Sequence, residues 1–392
     1  MTAILAEPLS EVVAAAEKLL ARRTGAAVRL VDPVDLGGSG RTIVLRVRVA
    51  ENPFSLPRTL VLKQVRESSR KAADPRRIEF DGVDTDSVDV AFLREAVSYQ
   101  FATALATENR PGAELLAYDF DERLLVLGDL GDSTPFATLL KHADPDSVSN
   151  SLMAMAQALG RMHAATVGRE EDFTALLRRA EVAHCGDVVA EQAAASLETV
   201  PALLAEQLGV EASPAVLEVA ARAGKLFGGG RFRAFSPSDL CPDNIIVNDE
   251  GVRFLDYEWG GFRDATLDLA YALVSFPACL CSIDLSYERA RAMTEAWRAE
   301  VVGMWPALAD DDFLTERVLD AQLVWVWLST FLFLPEDYTR IAAVRGHQLS
   351  APRLDALRAR WEGLATFAEE SGHEAIADHA AQVVARLRER IG

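Results

Sequence analysis

The sequence predicts an α+β protein of two lobes: a small antiparallel β-sheet lobe with one main helix, then a larger and mainly helical lobe. Three observations predict it. Residues 28–65 read as a β-rich block, in which polar and apolar residues alternate through 41–49 with the period of a half-buried strand. From Pro135 onward apolar residues recur at helical spacing instead. Between the two regimes lies Gly128-Asp129-Leu130-Gly131-Asp132, with the glycines of a flexible connector. The expected boundaries are 1–127 for the first lobe, 128–134 for a hinge and 135–392 for the second lobe. A chain of 392 residues, half of them hydrophobic, can fill more than one core.

The elements follow in order. Residues 10–23 carry apolar side chains at helical spacing, with Ser10 as N-cap and Gly25 as stop. Residues 28–36 read as a strand that leads into Gly37-Gly38-Ser39-Gly40, and 41–49 alternate as a second strand. Residues 59–65 form a third strand. The charged stretch 67–89 lacks periodicity and reads as a loop. A helix over 92–106 and strands over 115–118 and 123–127 complete the first lobe. In the second, helices are expected over 149–166, much of 173–227 and most of 265–390. The only strands expected there are those of a hairpin. Its arms are the apolar runs 245–247 and 252–255, and its turn is Asn248-Asp249-Glu250-Gly251.

The formal net charge of −19 argues against DNA or RNA as a partner, since phosphate backbones need basic surface. It suits a cationic small molecule, which a negative field gathers at a cleft, although acidic surfaces more often serve solubility. Cys185, Cys241, Cys279 and Cys281 have neither CxxC spacing nor a disulfide pattern, so reduced thiols in a cytoplasm are expected. The N-terminus lacks a basic-then-apolar signal, and the most apolar run, 323–334, is shorter than the roughly 20 residues of a membrane span. No membrane partner is expected, and the chain is expected to act as a monomer or homodimer.

The chemistry concentrates in Ser238-Asp239-Leu240-Cys241-Pro242-Asp243-Asn244, the hairpin after it, and Asp256-Tyr257-Glu258. An acid five residues before an amide, then a hairpin, then a second acid is the pattern that phosphoryl transfer needs. Asn244 enters the hairpin and Asp256 leaves it, so strand pairing brings two oxygen ligands to one hard cation, Mg²⁺. Asp239 is placed to take a proton from a substrate hydroxyl. The first lobe supplies further parts. Gly37, Gly38, Ser39 and Gly40 form a turn whose backbone N–H groups can approach phosphate oxygens, although such glycines usually mark a plain hairpin turn. Lys63 stands inside an otherwise apolar strand, where a charge needs a partner, and Glu95 on the next helix can be that partner.

Taken together, glycine turn, strand lysine, helix glutamate, D-x-x-x-x-N and hairpin-spaced Asp follow the protein-kinase order. In detail the chain resembles the aminoglycoside phosphotransferase and choline kinase branch of that fold. That branch reads H-G-D-x-x-P-x-N where this chain has Pro237 to Asn244, and D-F/W-E where it has Asp256-Tyr257-Glu258. Its downstream D-x-x-x-D-L-A matches Asp264 to Ala270. Leu124 to Leu130 is similar to its last N-lobe strand and hinge, and Leu159 to Ala164 to the end of its long helix. The resemblance spans about 28–273. It implies ATP or GTP as co-substrate, Asp239 as base, Asn244 and Asp256 as Mg²⁺ ligands, and Lys63 with Glu95 as the phosphate-orienting pair. It also implies a nucleotide base held by backbone groups of Gly128, Asp129 and Leu130, a catalytic segment over 236–258, and an acceptor-binding helical insertion over 170–227. The acceptor would be a hydroxyl-bearing antibiotic, nucleoside, sugar or amino alcohol, and a role in antibiotic resistance is one setting that the resemblance brings. Pro237 departs from the family's His and Gly128 from its frequent Glu. A nucleotide-binding module of the same fold without turnover is the alternative, with Pro237 as its mark. A protein kinase is disfavoured, because no A-P-E-like segment follows Asp256.

Other residues read as structural. His163 ends an apolar helix and is expected to be a satisfied buried histidine. Cys241 reads as an incidental thiol, and Trp325, Trp327, Phe331 and Phe333 as core packing. Asp264, Asp268 and Glu258 stay outside the catalytic set, Asp268 because the family uses that position to brace the loop.

Overall fold

A computed structural model describes residues 7–38, 42–50, 56–66, 79–80, 83–84, 88–142, 144–182, 186–278, 283, 285–335 and 353–391. Helix α1 (Glu7–Thr24) precedes strands β1 (Leu30–Gly37), β2 (Thr42–Val49) and β3 (Thr59–Val65). Two short strands, β4 (Glu79–Phe80) and β5 (Val83–Asp84), pair with each other, and most of the stretch read as a loop around them lies outside the described residues. Helix α2 (Val88–Thr103) and strands β6 (Leu115–Asp119) and β7 (Leu124–Gly128) follow. Five of these strands form one antiparallel sheet in the order β1-β2-β3-β7-β6.

The two-residue period of the strands decides what faces what. Leu60 and Leu62 of β3 and Leu124 and Val126 of β7 pack in one cluster with Val12, Ala16, Leu19 and Leu20 of α1. Leu125 and Leu127 point to the other face, into the cluster that holds Phe92 and Ala96 of α2. Strand β7 is buried on both faces, which is why it reads as the unbroken run Leu-Leu-Val-Leu. Lys63 shares the α2 face with Val61 and Val65, not an exposed face.

The rest of the chain is mainly helical: β8 (Thr134–Pro135), α3 (Phe136–His142), α4 (Pro145–Thr166), α5 (Glu170–Arg179), α6 (Val188–Leu208) and α7 (Pro214–Gly228). Strands β9 (Arg233–Ser236), β10 (Ile245–Asn248), β11 (Gly251–Phe254) and β12 (Gly261–Asp264) come next. Helices α8 (Thr266–Ser275), α9 (Tyr287–Val301), α10 (Asp311–Phe333), α11 (Arg353–Glu370) and α12 (Glu374–Ile391) close the chain. Asp144 caps α4 through the N–H groups of Asp146 and Ser147, with Pro145 opening the helix, and Gly209 ends α6 at φ 64. This is the α+β architecture that the sequence predicts.

One expectation is corrected. The hairpin β10–β11 forms with Ile245 opposite Phe254, but it is not the only strand pair of this half. Strand β8 adds to it through Val247 and Thr134, and β9 pairs with β12 from Ser236–Gly261 to Arg233–Asp264. Arg-Ala-Phe-Ser and Gly-Phe-Arg-Asp are too short and too mixed in polarity to announce a strand; what makes them strands is each other. The connector also differs from expectation, because it is tied down. Arg46 donates to Asp129 Oδ1 at 3.0 Å and to the Gly131 carbonyl at 2.8 Å, and Asn248 Nδ2 donates to the Leu130 carbonyl at 2.9 Å.

Trp325, Trp327 and their helix α10 are core, as the sequence suggests, with Trp325 Nε1 donating to the Leu267 carbonyl at 2.7 Å. Among the described residues no helix is long and apolar enough to cross a membrane. On α12, His379 is only 3% exposed and sets its ring edge-on to Trp361 at 5.7 Å. Burial pushes its pKa down to about 4, against a hydrogen bond that the ring donates to the Glu211 backbone. Above pH 6.5 the ring is neutral in both states and its contribution to stability is complete. As pH falls toward 4, the unfolded chain takes up the proton first and stability is lost. Urea unfolding at pH 7 and 5 is expected to show a loss of about 2 kcal/mol from this group, absent in His379→Gln. Equal pH dependence in the two proteins would contradict it.

Candidate functional site

Two features of the loop between β9 and β10 set its geometry. Pro237 locks φ and has no N–H to donate. The Asp239 N–H then donates back to the Pro237 carbonyl at 2.8 Å, closing a three-residue turn around Ser238 at φ 63. A serine in that left-handed conformation costs about 1–2 kcal/mol, so the surroundings must hold it there. The turn places Asp239 in the interior, 3% exposed. A 3-10 turn at Pro242–Asn244 follows, and Asn244 Nδ2 donates to Asp239 Oδ2 at 2.7 Å. Tyr271 of α8 donates its hydroxyl to the other oxygen, Oδ1, at 2.9 Å. Each carboxylate oxygen of Asp239 thus accepts from a protein donor, which fixes the direction in which the acid points.

Asn244 and Asp256 stand at corresponding ends of the hairpin. The Leu255 N–H donates to the Asn244 carbonyl at 2.8 Å, one residue before Asp256. Asp256 is the second non-glycine residue of the site at positive φ, 62. Its N–H donates to the Tyr99 hydroxyl oxygen at 3.3 Å, and its Oδ1 accepts from Lys63 Nζ at 2.8 Å. Lys63 also donates to Glu95 Oε1 at 2.6 Å. The lysine and glutamate that the sequence pairs are therefore in contact, and the hairpin acid, 193 positions along the chain from the lysine, joins them. Burial works against the Lys63 ammonium, but Asp256 and Glu95 outweigh it and hold its pKa well above the ordinary value. Burial pushes the Glu95 carboxyl upward, with Lys63 opposing and Asp256 adding to the rise.

The remaining sequence-marked residues fall as follows. Gly37 has φ 90, and a Cβ on Gly38 would come within 2.2 Å of the Thr42 carbonyl oxygen, so the turn requires glycine there. Ser39 and Gly40 lie outside the described residues. At the connector, the Gly128 N–H donates to the Glu114 carbonyl at 2.8 Å and the Leu130 carbonyl accepts from Asn248, so two backbone groups expected to meet a nucleotide base already have protein partners. The Asp129 side chain is taken by Arg46 and the Gly131 N–H. Cys241 is a free thiol beside the Tyr271 hydroxyl at 3.2 Å, while Cys185, Cys279 and Cys281 lie outside the described residues.

His163 is the satisfied buried histidine that the sequence suggests. Trp297 Nε1 donates to its Nδ1 at 2.9 Å, which leaves the ring proton on Nε2, 3.0 Å from Asp268 Oδ2. Asp268 Oδ1 in turn accepts from the Ser236 hydroxyl at 2.6 Å. Sequence reasoning missed Tyr271 and Tyr99. Tyr271 directly follows the D-x-x-x-D-L-A stretch, one helical turn from Asp268, and that position was the one signal pointing to it.

No family model matches this chain, and no curated protein matches it. Solved structures similar to it include a choline/ethanolamine kinase family protein from Mesorhizobium loti. That pair shares 12% identity over 90% of this chain and 92% of the other, with a TM-score of 0.47. A choline kinase from Cryptosporidium parvum Iowa II is 11% identical over 94% and 97% of the two chains, with a TM-score of 0.49. A thermostable mutant of aminoglycoside phosphotransferase APH(4)-Ia is 14% identical over 96% and 99%, with a TM-score of 0.38. What the site of this chain can do is read from its own residues.

Proposed function

We propose that this protein is a small-molecule O-phosphotransferase, which moves the γ-phosphoryl group of ATP or GTP to a hydroxyl of a small acceptor. One observation supports this reading above the others: Lys63, held by Glu95, bonds the hairpin's exit acid Asp256, while its entry residue Asn244 bonds Asp239. In this reading Asp239 orients the acceptor hydroxyl and takes its proton as the oxygen attacks the γ-phosphorus. The bond from that phosphorus to the β–γ bridging oxygen breaks, and ADP or GDP leaves. Lys63 offsets negative charge on the phosphates, and catalysis is mostly positioning and charge neutralisation.

Among the described residues there is no group of three or more His, Cys, Asp or Glu able to hold a metal unaided. The donor set nevertheless fits Mg²⁺, which favours hard oxygen ligands and takes one or two from protein and the rest from phosphates and water. Asn244 spends its amide N–H groups on Asp239, which leaves its carbonyl oxygen to ligate, and Asp256 keeps a second carboxylate oxygen beside the one bonded to Lys63. Bound there, Mg²⁺ would neutralise phosphate charge.

The test is purified protein with Mg-ATP or Mg-GTP against antibiotics, nucleosides, sugars and amino alcohols, read by mass spectrometry. A product heavier by one phosphoryl group is expected. Nucleotide binding with no phosphorylated product across the panel would favour the non-catalytic alternative.

A further inference from the structure

Pro237 stands where the resembled family has His, and the turn after it holds Ser238 in a strained conformation. A device that keeps this turn closed comes from β12. Arg263 lies opposite Ala234, so the strand period sets its side chain on the face of Gly261 and Ser236. Gly261 leaves room for it: a Cβ there would come within 3.1 Å of the Arg263 guanidinium and push it aside by a few tenths of an ångström. The guanidinium is 1% exposed. Its Nη1 donates to the Ser238 hydroxyl oxygen and approaches Ser236 Oγ at 3.4 Å, while Nη2 donates to Asp187 Oδ1 at 2.6 Å.

Asp187 is not a free member of the acidic insertion. Its Oδ1 also caps α6, accepting from the Val189 and Ala190 N–H groups. Arg94, next to Glu95 on α2, donates to the neighbouring Gly186 carbonyl. Burial would raise the Asp187 carboxyl, but Arg263 and Arg94 hold it below the ordinary carboxylate range. One carboxylate therefore joins the start of α6 to the turn before Asp239.

We propose that Arg263 is the positioning residue of the 236–239 turn and that, through Asp187, it ties the aim of Asp239 to the N-terminus of α6. The catalytic half of this rests on the reading of Asp239 as proton acceptor; the mechanical half does not. Within the turn the family's bracing position, Asp268, bonds Ser236; Ser238 Oγ is held by the Arg263 guanidinium and by Ser236 Oγ at 3.2 Å, so the arginine is its link to the rest of the fold. The planar fork presents its two Nη groups in fixed directions, one toward the serines and one toward the carboxylate, whereas a lysine offers a single compact ammonium on a flexible stem.

Hydrogen exchange followed by mass spectrometry tests the mechanical half on Arg263→Met, Asp187→Asn and Gly261→Val, the last of which removes no polar group. Each variant is expected to speed exchange in both 236–244 and 187–191 and leave 124–128 on β7 unchanged. With an acceptor found in the panel, kcat is expected to fall roughly 10- to 100-fold, while KM for ATP stays within about twofold. Arg263→Lys is expected to fall between wild type and Arg263→Met. Unchanged exchange over 236–244, or a uniform rise that includes 124–128, would overturn the proposal by reducing Arg263 to an ordinary core contact. Should Arg263→Met not fold, the other two variants decide by the same criterion. If the wild type transfers no phosphate, the functional reading falls, and the exchange data still judge the brace.

Discussion

Asp239→Asn is expected to lower turnover by roughly 10²- to 10⁴-fold, the range that a positioned general base supplies, and to leave nucleotide affinity unchanged. The replacement is nearly isosteric and exchanges an acceptor-only carboxylate for an amide. Asn244 Nδ2 can still donate to the remaining carbonyl oxygen, and the Tyr271 hydroxyl can rotate to accept from the new NH₂ group. The loop should therefore keep its shape while losing the group that receives the proton. Single-turnover phosphorylation of an acceptor, beside equilibrium binding of Mg-ATP, separates the two effects. Normal turnover in this variant would remove Asp239 from the mechanism.

Asp256→Ala is expected to remove the Mg²⁺-dependent part of nucleotide binding. Loss of an outer-shell partner to a metal ligand already costs roughly 10- to 100-fold in affinity, and loss of a ligand should cost at least as much. The substitution also takes away one of the two carboxylates beside Lys63 and leaves Glu95 as its partner. Calorimetric titration with ATP, with Mg²⁺ and with EDTA, reads the effect. Wild type should bind more tightly with the metal, and the variant should bind alike in both. An unchanged Mg²⁺ response in Asp256→Ala would count against its metal role.

Most of the fold was legible because the relevant forces are local. Period-two alternation marked β2, and short apolar runs marked β3 and β7; α4 and α10 were marked by their apolar spacing. The hairpin was legible for the same reason, as two short apolar arms around Asn-Asp-Glu-Gly. Strands β9 and β12 were not, because their four-residue segments carry little signal until they pair across 24 intervening residues. The connector read as flexible from its glycines, while the hydrogen bonds that restrain it come from Arg46 and Asn248, distant in sequence.

The candidate site divides in the same way. Spacing named Asp239, Asn244 and Asp256, since five residues and a hairpin determine how the three relate. Lys63 was visible as a charge inside an apolar strand. Its second contact, to Asp256, depends on how β3 meets the hairpin, and no local pattern encodes that. Tyr271 and Arg263 were missed because each acts across a junction of elements. A tyrosine on an apolar helix and an arginine between Phe and Asp look ordinary until the fold sets their polar ends against Asp239 and against Ser238 and Asp187.

By itself, then, the sequence determined the class of fold, the order of its elements and the three side chains around which chemistry can be organised, because backbone periodicity and short-range spacing are written residue by residue. Only the tertiary structure decided which buried charges share partners and how a proline-containing turn is kept in a strained shape. Those outcomes follow from removing polar groups from water, and a partner for such a group can come from anywhere the folded chain brings near.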